Sequence, residues 1–370
     1  MQRRELILGL AGLSALSALP LAGCNFTSTN QAAYVSASKV GKDFYLSVLN
    51  QRHQLLSQHK LPARGHATAC CSKQPSLVAV ARRPGDWLVI IDLEDPQAPN
   101  QVIKPGKHRH YFGHAVFDES QNYLYTTEND FLRGRGVIGV YERLSDYKKV
   151  AEFESYGIGP HELKFLPDSD LLIVANGGIL TYPDQPRKKL NLDTMHSSLV
   201  YIHAKTGQLI DQVYASHPQS SLRHFDILPD KTVAVGIQQQ TVGFSHIAST
   251  VPLIVTHRMN ETLQNLSADE AHWRQYQAYV AGIRAHNREP IVCATTPRGH
   301  LASFWHLSSR RLISQVNLED VSGVVFDDQR QRFMLTTGYG KVAVVDHLTG
   351  QVERLVNVDD VQWDNHAYTI

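Results

Sequence analysis

Short apolar runs alternate with polar turns along most of the chain, and the clearest example occupies residues 157–178. There, Gly-Ile-Gly-Pro-His-Glu-Leu opens a short apolar segment, Pro-Asp marks a turn, and Leu-Leu-Ile-Val-Ala-Asn-Gly-Gly follows as a second segment. Short apolar runs bounded by Gly, Pro and Asp are typical of β-strands joined by tight turns. The pattern predicts a histidine at the start of one strand and a glycine loop after the next.

Degenerate copies of this unit recur along the chain. They occupy residues 113–130, 223–236 and 323–338, and shorter matches begin at His66 and His366. When the longest gap is counted as two units, the period is about fifty residues, which is typical of a β-propeller. We therefore predict an all-β fold, a seven-bladed β-propeller. Residues 34–60 form three strands that lack an opening strand, and residues 363–370 form an opening strand with no successors, so both segments are predicted to close the last blade.

The fifth blade has the weakest pattern. Residues 276–283 are expected to open it, after a helix over residues 267–277 that Ser267 could cap, with Glu270 three residues further on. Residues 176–197 and 238–251 are expected to form long loops between the second and third strands of their blades.

The first residues have the pattern of an export signal. Arg3-Arg4 precedes an apolar run over residues 6–19, and Leu-Ala-Gly-Cys follows at residues 21–24. This order is typical of a signal peptide with a lipobox, and the paired arginines resemble a twin-arginine leader. The sequence predicts a signal peptide (residues 1–23), a tether beginning at a lipidated Cys24 (residues 24–33) and one propeller domain (residues 34–370). A bacterial, periplasmic protein held at the membrane by its N-terminal lipid is expected.

Composition narrows the possible partners. The formal net charge is +1 and the sequence pI is about 7.8, which gives no electrostatic basis for binding nucleic acid. After Cys24, three cysteines remain: Cys70, Cys71 and Cys293. Three thiols allow one disulfide at most, or buried free thiols.

The candidate chemistry lies in the opening strands. In a propeller these strands line the central channel, so histidines near their starts are expected to meet at one mouth: His66, His114, His161, His224 and His366. The loops between second and third strands, and the residues before two of the histidines, should bring further ligand contacts to the same mouth: Arg64, Glu128, Asp130, Arg133, Arg135, Asn176, Arg223 and Arg298. Imidazoles and guanidiniums together favour a transition metal, a haem edge or an anionic chelate, and iron, copper and haem are the candidate cofactors.

Two other readings of the same residues remain open. A Gly-His pair such as Gly113-His114 is also typical of WD-type propellers, where it is a structural hydrogen-bonding element, and the five histidines need not meet at one ion. An enzyme, an oxidoreductase or a lactonase-like hydrolase, is the third hypothesis. No Gly-x-Ser-x-Gly, Walker or dinucleotide loop stands in a fitting context, and a lactonase-like site would need a carboxylate-rich calcium centre.

Several long motifs resemble those of a known family. They are Arg-Gly-His (64–66), Thr-Glu-Asn-Asp (127–130), Gly-Ile-Gly-Pro-His-Glu-Leu (157–163), Ala-Asn-Gly-Gly-Ile (175–179), Leu-Asn-Leu-Asp-x-Met (190–195), Arg-His (223–224), Thr-x-Pro-Arg-Gly (295–299) and Trp-Asp-Asn-His (363–366). The chain resembles, almost end to end, an uncharacterised family of bacterial periplasmic propellers of unknown function, whose members tend to be encoded beside imelysin-like iron-uptake lipoproteins. One departure is Tyr182, where the family often has histidine.

The resemblance implies a seven-bladed propeller and a link to iron acquisition. The leading hypothesis is a lipid-anchored propeller that binds iron or an iron-bearing group at the histidines and assists uptake. The alternative is a non-catalytic scaffold that docks a periplasmic iron-uptake partner on the same face, with structural histidines.

Overall fold

The fold is described from a computed structural model of the 370-residue chain. The structure describes residues 31–95, 98–186, 188–240 and 251–370. The predicted signal peptide and the predicted lipidation site at Cys24 lie outside the described residues. The first strand begins at Ala32, inside the segment predicted as a tether.

Within the described residues, 28 strands form seven four-stranded antiparallel sheets. In chain order, the first segment supplies β1 (Ala32–Val40), β2 (Asp43–Asn50) and β3 (Leu55–Leu61). Blade 1 contains β4 (Gly65–Cys71), β5 (Ser76–Ala81), β6 (Leu88–Asp92) and β7 (Gln101–Ile103). Blade 2 contains β8 (Arg109–Phe117), β9 (Tyr123–Asp130), β10 (Arg135–Glu142) and β11 (Lys148–Glu154). Blade 3 contains β12 (Pro160–Phe165), β13 (Leu171–Asn176), β14 (Ser198–His203) and β15 (Leu209–Tyr214).

The second half of the chain repeats the pattern. Blade 4 contains β16 (Ser220–Ile227), β17 (Val233–Gln239), β18 (Ile254–His257) and β19 (Gln264–Asn265). Blade 5 contains β20 (Gly282–Ala285), β21 (Ile291–Thr296), β22 (Leu301–His306) and β23 (Arg311–Asn317). Blade 6 contains β24 (Val321–Asp327), β25 (Arg332–Thr337), β26 (Lys341–Val345) and β27 (Val352–Asn357). Single 3-10 turns occur at Arg143–Ser145 and Leu192–Thr194.

Blade 7 joins the two ends of the chain. The last strand, β28 (Val361–Thr369), pairs with β1, and the sheet order is β28-β1-β2-β3. Ser36 Oγ donates a hydrogen bond of 2.6 Å to the His366 carbonyl across this seam. The predicted seven-bladed propeller with a shared closing blade is therefore confirmed, and closure leaves no inner strand without a partner.

The predicted opening of blade 5 was wrong in detail. The α-helix α1 spans Glu270–Gln275, and Asp269, not Ser267, caps it by accepting a 2.7 Å hydrogen bond from the His272 backbone N–H. The inner strand β20 begins only at Gly282. Between α1 and β20, Tyr279 makes only an isolated bridge with Gln238. Within α1, the Trp273 ring stacks on Trp305 at 5.2 Å. In the described part of the chain, no helix is long and apolar enough to cross a membrane.

Candidate metal centre

Each of the five predicted histidines lies where the pairing of its inner strand with the next strand is irregular. The register shifts around His66 in β4, His114 in β8, His161 in β12, His224 in β16 and His366 in β28. A bulge adds one residue to a strand and re-aims the side chain at that point. The inner strand β20 of blade 5 has no such shift and no histidine among its residues.

The five imidazoles form one buried cluster. Ring centroids of His66 and His366, of His161 and His224, and of His224 and His366 lie 4.5 Å apart, and the His66–His224 pair, at 6.3 Å, is still in contact range. All five side chains are buried. The cluster is contributed by five different blades, so it exists only in the closed ring.

Gly113 makes room for this cluster. Its φ of +115° lies in a region that L side chains rarely adopt, and a methyl group built there would lie 2.6 Å from His66 Cδ2. Glycine tolerates such backbone angles without steric cost. The Gly-His pair at residues 113–114 thus permits the close approach of two imidazoles from neighbouring blades.

Several imidazole nitrogens in the cluster lack a hydrogen-bond partner in the part of the chain that the structure describes. They are His114 Nε2, His366 Nε2 and His66 Nδ1, and each is buried. A buried polar atom without a partner costs about 1–3 kcal/mol, so its retention calls for an explanation. One ring nitrogen from each of four histidines lies within 4.8 Å of the other three, in the set His66, His114, His224 and His366.

The set is close to the geometry that one ion needs. Four imidazole nitrogens bound tetrahedrally to one ion at about 2.0–2.1 Å lie about 3.3–3.4 Å from one another. Closing the cluster from separations of up to 4.8 Å therefore requires each nitrogen to move by up to about 1 Å, within the range of side-chain rotations. These four histidines could hold a metal ion.

His224 is oriented by a carboxylate. Its Nδ1 lies 3.1 Å from Glu162 Oε2, and its Nε2 lies 3.0 Å from His161 Nε2. Because Glu162 accepts the Nδ1 proton, His224 Nε2 carries a lone pair and accepts a hydrogen bond from His161. A carboxylate behind a histidine fixes its tautomer and raises its basicity as a metal ligand. A metal on His224 Nε2 would take the place of the hydrogen bond from His161, which lies outside the set of four histidines.

The electrostatics keep the imidazoles neutral. Burial lowers the pKa of His114 to about 3, and burial followed by neighbouring imidazoles holds the pKa of His66, His161 and His366 well below the usual value. Burial also lowers the pKa of His224, against the opposing effect of Glu162. The neutral imidazole is the form that binds metals.

Glu162 is the main functional residue that the sequence prediction missed. Burial alone would raise the pKa of Glu162, but the Lys164 charge and the His224 hydrogen bond outweigh it, so its pKa lies well below the usual value. A row of alternating charges extends from it, because Lys164 Nζ lies 3.3 Å from Glu162 and 2.8 Å from Asp226, and Arg284 lies 3.4 Å from Asp226. The row links blades 3, 4 and 5 behind the histidines.

Asp364 supports the other side of the cluster. Its carboxylate pairs with Arg64, lies 3.8 Å from Arg82 Nη1 and lies 3.6 Å from His66 Nδ1. The predicted contact Arg64 is thus an ion-pair partner of Asp364 and lines a neighbouring cleft, not the histidine cavity. The signal for Asp364 was present in the closing Trp-Asp-Asn-His motif, two residues before His366.

A polar cavity of about 220 Å³ opens beside the histidines. Three of the five histidines line it, and so do two of the predicted contacts, Arg223 and Arg298. Its remaining lining residues are Arg82, Arg83, Phe112, Gln238, Tyr279 and Asn365. We name this cavity the arginine basin; none of the described residues that line it carries a carboxylate.

The other predicted contacts do not line the basin. Glu128 is fully buried and accepts hydrogen bonds from Tyr141 Oη at 2.7 Å and from Lys149 Nζ at 2.9 Å. Asp130 is fully buried too, and pairs at 3.0 to 3.5 Å with Arg109, Arg133 and Arg135. Asn176 Nδ2 donates to the Ser155 carbonyl at 2.8 Å. The Glu128 and Asp130 carboxylates and the Asn176 Nδ2 group thus have partners inside blades 2 and 3, although among the described residues Asn176 Oδ1 has none.

A second histidine group, the outer group, contains His286, Glu289 and His347. It follows the ends of β20 and β26, so it lies at the opposite end of the strands from the arginine basin. His286 Nδ1 accepts hydrogen bonds from the backbone N–H groups of Arg288 and Glu289, both at 3.1 Å. The proton of the neutral ring is therefore on Nε2, which faces Glu289 Oε1 at 4.0 Å. A protonated nitrogen has no lone pair for a metal.

The cysteines form no disulfide among the described residues. Cys70, Cys71 and Cys293 are all free. Burial raises the pKa of Cys70 to about 12 and that of Cys293 well above the usual value, so neither is a thiolate at neutral pH.

Comparisons with known proteins agree with the fold. A family model described as "Protein of unknown function (DUF1513)" matches residues 59–370. No curated protein matches the chain. Among solved structures, a chain of Kuenenia stuttgartiensis hydrazine synthase matches with a TM-score of 0.61 at 12% identity, covering 88% of this chain and 95% of that one.

Two further solved structures resemble the chain. A chain of the mitotic checkpoint complex matches with a TM-score of 0.57 at 8% identity, covering 82% of this chain and 80% of its own length. The computationally designed Ika8 protein matches with a TM-score of 0.54 at 14% identity, covering 90% and 89% respectively. Because the sequence identities are only 8–14%, these three structures show a similarity of fold alone.

Proposed function

The chain belongs to the DUF1513 family of proteins of unknown function, and we propose that it binds a first-row transition metal in its channel through His66, His114, His224 and His366. We further propose that the ion is iron, and that binding serves periplasmic iron uptake by a lipid-anchored protein. Support for the metal comes from the geometry of the cluster. Support for iron and for the location comes from the leader sequence and the family resemblance.

One observation carries the proposal: four buried histidines, three of which have a ring nitrogen without a hydrogen-bond partner among the described residues, bring one ligand nitrogen each within 4.8 Å of one another. If the histidines were purely structural, as in the WD-type reading, each buried ring nitrogen would be expected to donate or accept a hydrogen bond. The ring of His161 meets this expectation through His224. The free nitrogens of His114 and His366 do not, and a metal ion would give them a partner.

The four imidazole ligands limit which metal ions the site can bind. Imidazoles bind zinc, copper, nickel and iron, whereas magnesium and calcium prefer oxygen. The arginine basin, at about 220 Å³, is smaller than the 300–1,000 Å³ typical of sites for drug-sized molecules. A bare ion with a small co-ligand fits this space better than haem does.

Binding, not catalysis, is the activity we propose. The alternative hypothesis, a scaffold that docks an iron-uptake partner with structural histidines, predicts no metal dependence. The enzyme hypotheses gain no support from the site, because the carboxylates Glu162 and Asp364 are paired with Lys164, His224, Arg64 and Arg82.

Metal analysis of the purified mature protein tests the proposal. The protein would be stripped with a chelator, dialysed against anaerobic Fe²⁺, Cu²⁺ or Zn²⁺, desalted and analysed by mass spectrometry of the elements. We expect about one ion per chain in the wild type and none in a His114→Ala/His366→Ala variant. These two substitutions remove free nitrogens without breaking a hydrogen bond to them. Equal metal content in both proteins would refute the site.

A further inference from the structure

The arginine basin concentrates positive charge without a counter-charge. Arg83, Arg223 and Arg298 line it, and Lys189 is close enough that these three guanidiniums, after burial, lower its pKa. Among the described residues, no Asp or Glu lines the basin. Asp364 is already engaged by Arg64 and Arg82. Cations gathered in this way repel one another and favour occupation by an anion.

Within the described ranges of the chain, Arg223 is the clearest case of a buried guanidinium that lacks an anionic partner. Its side chain is 9% exposed, and the one hydrogen bond it makes among the described residues is from its Nε to Ser221 Oγ, at 3.3 Å. A guanidinium that is buried without a carboxylate partner is costly, and a bound anion would remove that cost.

The other guanidiniums are held in fixed positions. Arg83 lies over the Phe112 ring at 5.2 Å, and Arg298 lies over the Tyr279 ring at 4.9 Å. Tyr279 Oη in turn accepts a 3.1 Å hydrogen bond from Asn365. Stacking on an aromatic face leaves the edge of a guanidinium free to bind a carboxylate with two hydrogen bonds. The basin is therefore arranged in advance for an anion.

The shape of the basin indicates the class of anion. The three arginines come from blades 1, 4 and 5, so they approach the ligand from separate directions. The volume of about 220 Å³ is several times the roughly 30 Å³ that one water takes in the liquid. An anion with two or three separated carboxylates can reach several guanidiniums, whereas a compact inorganic anion reaches fewer.

We infer that the arginine basin binds a small di- or tricarboxylate that also ligates the metal ion on the histidines. This inference rests on the proposed function. Four neutral imidazoles leave the charge of a divalent ion uncompensated, and His66, His161 and His224 border the basin directly. A carboxylate oxygen can therefore reach the ion while the rest of the anion stays on the arginines.

Calorimetry with citrate as the probe tests the inference. The mature protein would first be loaded with Zn²⁺ and its zinc content measured, and citrate, phosphate and sulfate would then be titrated separately. We expect citrate to bind at least about tenfold more tightly than phosphate or sulfate, and at least about tenfold more tightly to the zinc-loaded than to the metal-free protein. After gel filtration, zinc and citrate should elute with the protein at about one each per chain.

Matched variants locate the site. Arg83→Gln/Arg298→Gln changes two arginines that are at least partly exposed, so folding should survive, and citrate binding should weaken at least about tenfold while zinc content is unchanged. Arg133→Gln/Arg135→Gln is the control, because those arginines pair with Asp130 in blade 2, and citrate binding should not change.

The outcomes separate the two proposals. Absence of zinc before citrate is added would refute the proposed function and the co-ligand with it. Zinc retained without citrate binding, or zinc stripped from the protein by citrate, would overturn only the inference of this section. If phosphate bound as tightly as citrate, the ligand would not be a polycarboxylate. If the Arg83→Gln/Arg298→Gln variant bound citrate as tightly as the wild type, the anion would not bind in the arginine basin.

Discussion

The channel cluster, which contains His66, His114, His161, His224 and His366, and the outer group both contain buried histidines. They differ in which ring nitrogens are free to bind a metal. In the channel, His114 Nε2 and His366 Nε2 have no partner, and His224 is held by Glu162 with its Nε2 lone pair toward the cluster. In the outer group, two backbone N–H groups occupy His286 Nδ1. His347 has two ring nitrogens without partners, but it packs against the Phe333 ring at 5.7 Å.

The difference shows that proximity of histidines does not make a metal site. A ligand nitrogen needs a lone pair, and the hydrogen bond on the opposite side of the ring decides whether it has one. A carboxylate behind the ring frees the far nitrogen in the channel. Backbone donors behind His286 protonate its far nitrogen. The outer group is thus an internal negative control for the channel cluster.

The largest expected effect is on metal-dependent stability. In 1,000-fold excess over its dissociation constant, an ion that binds only the folded protein stabilises it by about 4 kcal/mol. We expect this gain for the wild type and for a His286→Ala/His347→Ala variant, and none for His114→Ala/His366→Ala. Urea unfolding with and without Zn²⁺ measures it. If Zn²⁺ stabilised the His114→Ala/His366→Ala variant but not the His286→Ala/His347→Ala variant, the metal site would be the outer group and not the channel cluster.

A smaller effect is expected when the carboxylates behind the two groups are changed. Glu162→Gln removes the charge that holds His224, and the metal affinity should fall by about 10- to 100-fold. Glu289→Gln, in the outer group, should leave it unchanged. Competition with a chromophoric chelator measures both affinities. Equal affinities in the two variants would show that Glu162 does not orient a ligand.

The architecture could be predicted because its signals are local. Apolar runs and turn residues lie next to each other in the sequence, and the strands they form repeat at a regular interval. The unpartnered strands at residues 34–60 and 363–370 predicted the closing blade in the same way. The start of helix α1 was misplaced because Ser267 and Asp269 are both good capping residues, and its end was placed two residues too far.

The site was less predictable because it depends on relations between strands. The bulges at the five histidines are defined by the register with a second strand, which composition does not encode. Glu162 follows His161, so simple alternation directs it away from the cluster, and it reaches His224 of the next blade instead. Glu128 and Asp130 were predicted as ligand contacts from their place in the chain, but Lys149 and Arg109 pair with them.

Acid should destabilise the metal-free protein through its buried imidazoles. The unfolded chain takes up a proton on His114 near pH 6.5, whereas burial delays that uptake in the folded protein to about pH 3. Stability therefore falls as the pH drops below about 6.5, and by pH 5 His114 alone accounts for about 2 kcal/mol. Burial likewise lowers the pKa of His53 and His110, each to about 4. These residues add to the same loss.

Urea unfolding at pH 7 and pH 5 checks this dependence. In His114→Gln, the difference in unfolding free energy between the two pH values should shrink by about 2 kcal/mol. Burial lowers the pKa of His286 and His347 too, so acid alone does not distinguish the two groups. Added Zn²⁺ distinguishes them, because at pH 5 it should stabilise the wild type but not the His114→Ala/His366→Ala variant. An unchanged difference in His114→Gln would show that this ring is protonated in the folded state.

The smallest expected effect tests the close approach of the rings. Gly113→Ala places a methyl group against His66 Cδ2 at a φ of +115°, which should cost about 1–3 kcal/mol of stability and move His66 away from the cluster. Gly106→Ala is the matched control, since its nearest neighbour is Arg109 Cγ at 3.7 Å, and it should change stability by less than about 0.5 kcal/mol. Thermal unfolding and zinc titration of both variants measure the two effects. If Gly113→Ala binds zinc as tightly as the wild type does, His66 is not a ligand. The proposed ligand set in the channel cluster would then be His114, His224 and His366.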